Sequence, residues 1–411
     1  MKRIIVVVAI MAIIFGCEKD DPKTENDNTD NKSSNSNNKS VKYKANLVLK
    51  DIDLAITGSP EDIIVTDIDN DKDSDIIMIE RKRKNFLFTN NTLIVFKNSG
   101  NGSFTKVDMN DNFTKFNIHN YDVADYNNDG YKDLVIQKRQ SGSIAEGQQA
   151  LIFYKNNAGR SFEYDVTIKF KDVVNCFWMN DFNNDNKQDI VILSKRGLQL
   201  YKCKENANYG SAELLINTDK VSDIRILDIN GDKLPDMSLY NFSDRKYYIY
   251  ANDKGKLNKL YSFAGVYKAC YSDIDNDGSI DVALIGDGAD RGIYKQVKGK
   301  IIKIFDLPVM ENGGAEWCDI NGDNRAELIT SFCKDFMHYV RIYDNKNGDT
   351  FQDNKQTLFP DNKIPLKHGN DFIVVSDING DKKEDILISA YTKSNVKRTL
   401  SAIINKYTKI E

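Results

Sequence analysis

The chain predicts an all-β fold in which one four-stranded unit recurs seven times, arranged as a seven-bladed β-propeller. Three observations carry that expectation. A nine-residue acidic pattern, Asp-x-Asp/Asn-x-Asp-x-x-x-Asp/Glu, begins at Asp67, Asp125, Asp181, Asp228, Asp273, Asp319 and Asp377. β-Branched, apolar runs flank the copies, and successive starts lie 45–58 residues apart. Periods of this length mark solenoids, arrays or propellers, and four strands per period make one propeller blade.

The chain opens with Lys2-Arg3, an apolar run from Ile4 to Phe15, and Gly16-Cys17. The run is too short to span a bilayer as a helix but suits a signal-peptide core. Residues 1–17 resemble a bacterial lipoprotein signal in which Cys17 is the acylated residue; a plain secretory signal with a chance cysteine is the alternative. Residues 18–42 are rich in Asn, Asp, Ser and Lys and cannot bury a core, so a disordered tether is expected. Its start, Lys19-Asp20-Asp21, resembles the surface-export signal of Bacteroidota lipoproteins, pointing to an outer-membrane lipoprotein exposed at the surface.

The propeller is expected over residues 43–411. In each repeat a first strand enters the acidic loop, as in Ile63–Thr66 and Cys176–Asn180. A second strand leaves it, as in Asp133–Gln137 and Asp281–Ile285. A third ends in an aromatic residue and an Asn/Gly turn (Phe96-Lys97-Asn98-Ser99-Gly100), and a fourth starts near Phe104, Phe162, Leu257 or Phe351. The seventh repeat stops after its third strand (Leu400–Lys406), whereas Ala45–Leu49 precedes the first loop without a blade of its own. Pairing of these two segments would close the ring and remove two exposed sheet edges.

The loops have the chemistry of calcium sites. Carboxylates and amides at positions 1, 3, 5 and 9 supply the oxygen ligands that a hard cation takes. The candidate ligands in order are Asp67, Asp69, Asp71, Asp75; Asp125, Asn127, Asp129, Asp133; Asp181, Asn183, Asp185, Asp189; and Asp228, Asn230, Asp232, Asp236. The last three loops supply Asp273, Asp275, Asp277, Asp281; Asp319, Asn321, Asp323, Glu327; and Asp377, Asn379, Asp381, Asp385. An EF-hand would need an acidic residue at position 12, and Met78, Ile136, Ile192, Leu239, Leu284, Thr330 and Ile388 stand there. Position 6 needs a positive φ, which Gly130 and Gly278 supply freely and Asn186 and Asn324 tolerate, whereas Lys72, Lys233 and Lys382 do not favour it. Up to seven Ca2+ ions are therefore expected, with loops 5 and 2 the best filled and loops 4 and 7 weak or empty. A plain acidic β-turn is the alternative for any single copy.

The repeated acidic loop between strands resembles the FG-GAP/VCBS repeat family, whose familiar member is the integrin α-subunit head. The resemblance covers roughly Lys42 to Glu411 and implies a calcium-loop β-propeller.

Other features narrow the function. The net charge of −4 and the dispersal of basic residues among acidic ones argue against nucleic-acid binding. Cys176, Cys203, Cys270, Cys318 and Cys333 have no metal-site spacing and read as small buried hydrophobes, with disulfides between blades left open. The longer repeats carry extra residues at Arg81–Asn91, Lys138–Gln149 and Asp361–Asn370, and the connection Met109–Asn120 falls on the same side, opposite the acidic loops. Variable loops on a rigid frame are where binding resides. A non-catalytic, adhesin- or receptor-like protein holding a glycan or a protein on that face is the first reading. A polysaccharide-acting enzyme such as a lyase would need an acid outside the loops, for example Glu146, Glu311 or Glu316, with a cationic partner. A structural subunit of an envelope assembly is the third reading.

Overall fold

The computed structural model describes residues 43–44, 47–52, 54, 58–85, 88–107, 118–138, 150–309, 314–334, 337–354, 373–391, 398–405 and 408–409. The signal peptide with Cys17, the tether, and the connections 139–149 and 361–370 lie outside them.

Every regular element among these residues is a β-strand, and seven antiparallel sheets of four strands follow one another along the chain. Sheet 1 comprises Ser59–Thr66, Asp75–Asn85, Phe88–Asn98 and Phe104–Lys106. Sheet 2 comprises Ile118–Ala124, Asp133–Lys138, Ala150–Asn156 and Phe162–Lys169. Sheet 3 comprises Cys176–Asn180, Asp189–Ser194, Gly197–Tyr201 and Glu213–Ile216, with a small two-stranded insertion at Cys203–Glu205 and Asn208–Tyr209. Sheet 4 comprises Val221–Leu227, Asp236–Asn241, Lys246–Asp253 and Lys256–Ala264. Sheet 5 comprises Val266–Ser272, Asp281–Gly286, Gly292–Val297 and Lys300–Phe305. Sheet 6 comprises Ala315–Cys318, Glu327–Lys334, Met337–Asn345 and Phe351–Asn354. Sheet 7 has three strands of its own, Ile373–Ser376, Asp385–Tyr391 and Arg398–Asn405.

The fourth strand of sheet 7 comes from the other end of the chain. Leu47–Asp51 pairs antiparallel with Arg398–Asn405, from Leu47 against Asn405 to Asp51 against Ser401. The strand expected at Ala45–Leu49 thus pairs where the sequence placed it, shifted by two residues. Tyr43–Lys44 adds a further short ladder with Thr408–Lys409.

Packing follows the same order. One apolar cluster joins sheets 1 and 2 through residues such as Ile77 and Tyr121, and further clusters join each next pair up to sheets 6 and 7. A seventh joins sheet 7 back to sheet 1 through Val374, Leu387, Ile63 and Ile76. Second strands explain why such runs were unbroken in the sequence: Asp189–Ser194 and Asp281–Gly286 are buried at every position, flanked by a sheet on either face. Fourth strands are the reverse. Lys256–Ala264 is mostly exposed, and its Lys256 and Lys259 guard an edge that could otherwise pair with another chain.

One expectation needs correction. Among the extra residues of the first repeat, 81–85 and 88–91 are strand and not loop: they extend the second and third strands of sheet 1, with Arg81 against Asn91 and Arg83 against Thr89. Cys203, Cys270 and Cys318 are buried and Cys176 is half-buried, and all four are free thiols. Burial pushes the Cys176 thiol up to about 12, which keeps it protonated and inert.

Candidate metal centres

Each acidic loop joins the first strand of a sheet to its second, and the same hydrogen bonds shape all seven. The position-1 carboxylate (Asp67, Asp125, Asp181, Asp228, Asp273, Asp319, Asp377) accepts the backbone N–H of position 6 at 2.7–3.0 Å. The position-5 carboxylate (Asp71, Asp129, Asp185, Asp232, Asp277, Asp323, Asp381) accepts that of position 7 at 2.8–3.0 Å. Side chains capping the backbone two to five residues ahead hold the chain in a tight coil.

That coil requires two left-handed residues per loop. Position 6 has a positive φ in all seven, from 63° at Asn186 to 92° at Gly130, and Lys72, Lys233 and Lys382 adopt it at 76°, 70° and 65°. Lysine at this position is therefore a strained occupant and not a sign of a different loop. Position 4 is the requirement that the sequence reading overlooked. Asn70, Asn128, Asn184 and Asn276 and Gly231, Gly322 and Gly380 all have φ between 59° and 82°. The signal was available, since every copy carries Asn or Gly there. The asparagines also link loops: Asn70 Nδ2 donates to the Gly130 carbonyl at 3.0 Å, and Asn276 Nδ2 to the Asn324 carbonyl at 2.5 Å.

Position 9 has a structural task beside its expected one. Asp75, Asp133, Asp189, Asp236, Asp281, Glu327 and Asp385 are fully buried. One oxygen of each accepts the backbone N–H of position 2 at 2.9–3.2 Å. In sheets 1–5 the other oxygen accepts a second backbone N–H, from the end of the third strand at Asn98, Asn156, Asn252 and Gln296 and from Cys203 just beyond it in sheet 3, at 2.7–2.9 Å. The carboxylate thus fastens the loop to its own sheet. Burial pushes Asp75, Asp189 and Asp281 up to about 6, Asp133 to about 7 and Glu327 to about 9, against the pull of their backbone donors.

The third-strand asparagines extend the fastening to the neighbouring sheet. Asn98 Nδ2 donates to the Ile378 carbonyl in loop 7, Asn156 to Ile68 in loop 1, Asn252 to Phe182 in loop 3 and Asn345 to Ile274 in loop 5, at 2.6–2.9 Å. The turns that follow press glycine against the same loops. A Cβ on Gly159 (φ 72°) would meet that of Asp69 at 2.2 Å, and one on Gly348 (φ 81°) that of Asp275 at 2.3 Å.

Two loops gather three carboxylates with oxygens within 4.8 Å of one another: Asp67, Asp69 and Asp71 in loop 1, and Asp273, Asp275 and Asp281 in loop 5. Both have Asp at position 3, and in both a third-strand lysine reaches that residue. Lys97 pairs with Asp69 and lies 3.6 Å from Asp71, while Lys295 pairs with Asp275 at 2.5 Å and Asp349 at 2.8 Å. These bonds to carboxylate hold both ammonium groups above the ordinary lysine value. The Asn loops answer the charge differently: Asn127, Asn183 and Asn230 turn Nδ2 toward the position-5 carboxylate at 2.9–3.3 Å.

The donor set fits calcium on an observation independent of spacing. Asp69 Oδ1 and Asn183 Oδ1, both at position 3, are buried acceptors without a hydrogen-bond partner. A buried oxygen of this kind carries a desolvation cost that a coordinated hard cation removes. Of the other sequence candidates, Glu146 and Glu311 lie outside the described residues. Glu316 is buried on the first strand of sheet 6, accepts the Trp317 backbone N–H at 3.1 Å and lies within electrostatic reach of Arg225 and Lys268.

Among solved structures the fold is similar to a lectin of Agrocybe aegerita, solved for its recognition of non-reducing terminal N-acetylglucosamine (TM-score 0.51, 14% identity, 76% of this chain and 88% of that one). It is also similar to BBS1N in complex with ARL6DN (TM-score 0.52, 11% identity, 88% of this chain and 96% of that one). Among curated proteins it resembles a T-cell immunomodulatory protein homolog of Plasmodium falciparum, at 23% identity over 299 residues and 67% of this chain. The chain spans 37% of that relative's length. Residues 67–136 and 319–388, which run from loop 1 through loop 2 and from loop 6 through loop 7, match the FG-GAP-like repeat. The chain thus carries FG-GAP-like repeats at two places among its seven acidic loops.

Proposed function

We propose that this chain is a non-catalytic binding module: a calcium-stapled, closed seven-bladed propeller over residues 43–411, held at an outer membrane by lipid on Cys17 and a polar tether over 18–42. The observation that carries it is the orphaned position-3 oxygen within a loop whose shape is repeated seven times. Bound calcium would be held by positions 1, 3, 5 and 9 and would supply charge neutralisation and rigidity, with no part in a reaction. Closure is supported by the pairing of Leu47–Asp51 with Arg398–Asn405 and by the apolar cluster between sheets 7 and 1.

The ligand is a glycan or a protein, bound on the face opposite the acidic loops. Support comes from the long hairpin of sheet 1, whose two 11-residue strands carry the basic run Arg81–Lys84 away from those loops. It comes also from the fold shared with a lectin and with a protein seen in a protein complex. The test has two arms. Calcium should raise the melting temperature relative to chelator, because a ligand held only by the folded state stabilises it. Arrayed glycans and envelope or host-surface proteins should then yield a ligand whose binding is lost when Arg81 and Lys82 are replaced by Ser. No calcium shift would remove the staple, and no array ligand would remove the binding reading.

A further inference from the structure

Neighbouring acidic loops are not all joined alike. Loops 1 and 2 share three contacts that reach candidate ligands on both sides. First, Asn70 at position 4 lies between Asp69 and Asp71, and its backbone N–H donates to Asp67 Oδ1 at 2.7 Å. Its Nδ2 donates to the Gly130 carbonyl of loop 2 at 3.0 Å. The N–H of that same peptide group, on Tyr131, donates to Asp129 Oδ1 at 2.9 Å. One peptide of loop 2 is therefore gripped at its oxygen by loop 1 and at its nitrogen by a position-5 carboxylate.

Second, Asn156 stands between the two position-9 carboxylates. Its backbone N–H donates to Asp133 Oδ1 at 2.9 Å and its Nδ2 to the Ile68 carbonyl at 2.7 Å, while the Ile68 N–H donates to Asp75 Oδ2 at 2.9 Å. Third, Gly159, whose N–H donates to Asn156 Oδ1 at 2.7 Å, lies so close to Asp69 that a Cβ would not fit between them. Asp69 itself points to a ligand, because its side chain is 5% exposed and its Oδ1 has no hydrogen-bond partner. Loops 5 and 6 repeat all three contacts through Asn276, Asn345 and Gly348. The seam between loops 4 and 5 differs: Gly231 at position 4 has no amide side chain, and Gln296 stands where the third-strand asparagine would.

We infer that loops 1 and 2 take up calcium as a coupled pair, as do loops 5 and 6, each ion raising the affinity of the neighbouring site. The inference rests on the reading of these loops as calcium sites and adds how they fill. Metal in loop 1 would fix positions 3 to 5 and Asn70 with them, so the Gly130–Tyr131 peptide is already ordered when loop 2 binds. Ordering shared in this way gives positive coupling without a new contact. Two bound cations repel, but Asn70, Asp71, Asp129 and Gly130 face water, where salt screens the repulsion.

Hydrogen exchange read by mass spectrometry on the intact protein, over a range of free calcium, gives a protection curve for each loop separately. In the unaltered protein the curves of loops 1 and 2 should rise together and more steeply than a single site allows. Emptying loop 1 with Asp67→Asn and Asp71→Asn, which keep one acceptor oxygen each, should raise the calcium midpoint of loop 2 roughly tenfold. Emptying loop 2 with Asp125→Asn and Asp129→Asn should raise that of loop 1 by the same factor, since coupling is reciprocal. Asn70→Gly leaves every candidate ligand of loop 1 in place and should weaken loop 2 roughly threefold, the worth of one neutral hydrogen bond. Emptying loop 4 with Asp228→Asn and Asp232→Asn should move loop 5 by less than about twofold.

Single-site slopes in loops 1 and 2, or a loop 2 midpoint that stays in place when loop 1 is emptied, would overturn the coupling and leave the calcium sites standing. So would an equal shift of loop 5 on emptying loop 4, because the effect would then be a general loosening. Protection that does not respond to calcium in any loop would overturn the coupling and the calcium staple together. The slopes in the unaltered protein need no variant and decide the matter if a substitution fails to fold.

Discussion

Loops 1 and 5 carry Asp at position 3 where loops 2, 3 and 4 carry Asn, and the difference separates two ways of handling excess negative charge. Where position 3 is Asp, a lysine from the third strand of the same sheet lies on it, Lys97 on Asp69 and Lys295 on Asp275. Where position 3 is Asn, the amide N–H2 group lies on the position-5 carboxylate and the equivalent lysines turn away, Lys155 to Asp165 and Lys202 to Glu213. The amide can rotate to present its oxygen to a metal at little cost. A lysine ammonium must be displaced. Carboxylate count alone is therefore a poor guide to the calcium affinity expected of loops 1 and 5.

The common feature of both classes is position 9, and removing it should have the largest effect. Asp133→Ala in an Asn loop and Asp281→Ala in an Asp loop each strip two buried backbone donors of their acceptor. Each should cost roughly 2–4 kcal/mol in chelator, measured by denaturant unfolding. Equal losses would show that the staple works independently of position 3. A loss below about 1 kcal/mol at either site would show that the carboxylate serves the metal and not the fold.

Calcium itself comes next. At a hundredfold excess over its dissociation constant, one occupied site adds about 2.7 kcal/mol to stability. The pH dependence has a definite sign. Asp75, Asp189 and Asp281 at about 6 and Asp133 at about 7 in the folded protein stand above their unfolded value, so without metal the fold holds protons that the unfolded chain releases. In chelator these groups should stabilise most below about pH 4, and their contribution should fall as pH rises to about 7. Calcium needs the ionised form, so the gap between calcium and chelator melting temperatures should widen over the same interval. A gap that is flat from pH 5 to pH 7.5 would mean that position 9 takes no part in binding.

The lysine comparison is tested directly by Lys295→Met. Removing a charge-assisted bond from Asp275 should raise the calcium affinity of loop 5 roughly tenfold in calorimetry. Lys155→Met in sheet 2, whose lysine pairs with Asp165 outside the loop, should leave loop 2 unchanged. Equal effects, or none, would make the two loop classes equivalent.

How much of this was legible in the sequence depended on whether a requirement is local. The left-handed residue at position 6 was readable because backbone sterics restrict residue type, and Gly130 and Gly278 announce it. The same rule at position 4 is written just as plainly in Asn70 and Gly231. The pairing of Leu47–Asp51 with Arg398–Asn405 was legible from an unmatched apolar segment at each end. By contrast, the approach of Lys97 to Asp69, the contact of Gly348 with Asp275 and the third-strand Asn98 reaching loop 7 depend on strand register and on which sheet lies beside which. A repeat pattern does not encode these relations. A cavity of about 960 Å³ among the first strands is the extreme case, since its wall draws on all seven repeats and no single copy contains it.

The smallest expected effect sharpens the comparison at the backbone. Lys233 in loop 4 holds φ at 70° where loop 2 has Gly130 at 92°. A non-glycine residue in the left-handed region carries roughly 1 kcal/mol of strain, whereas glycine there carries more unfolded-state entropy. Lys233→Gly should therefore raise stability in chelator by about 0.5 kcal/mol or leave it level. Its calcium affinity should move toward that of loop 2, because both loops share Asn at position 3 and would then share glycine at position 6. If loop 4 stays weaker than loop 2 after this change, position 6 is not what separates them. One difference left would then be the neighbour contact, for loop 2 accepts Asn70 Nδ2 at the Gly130 carbonyl. Removing that link with Asn70→Gly, which keeps the left-handed backbone, should lower loop 2 to the level of loop 4.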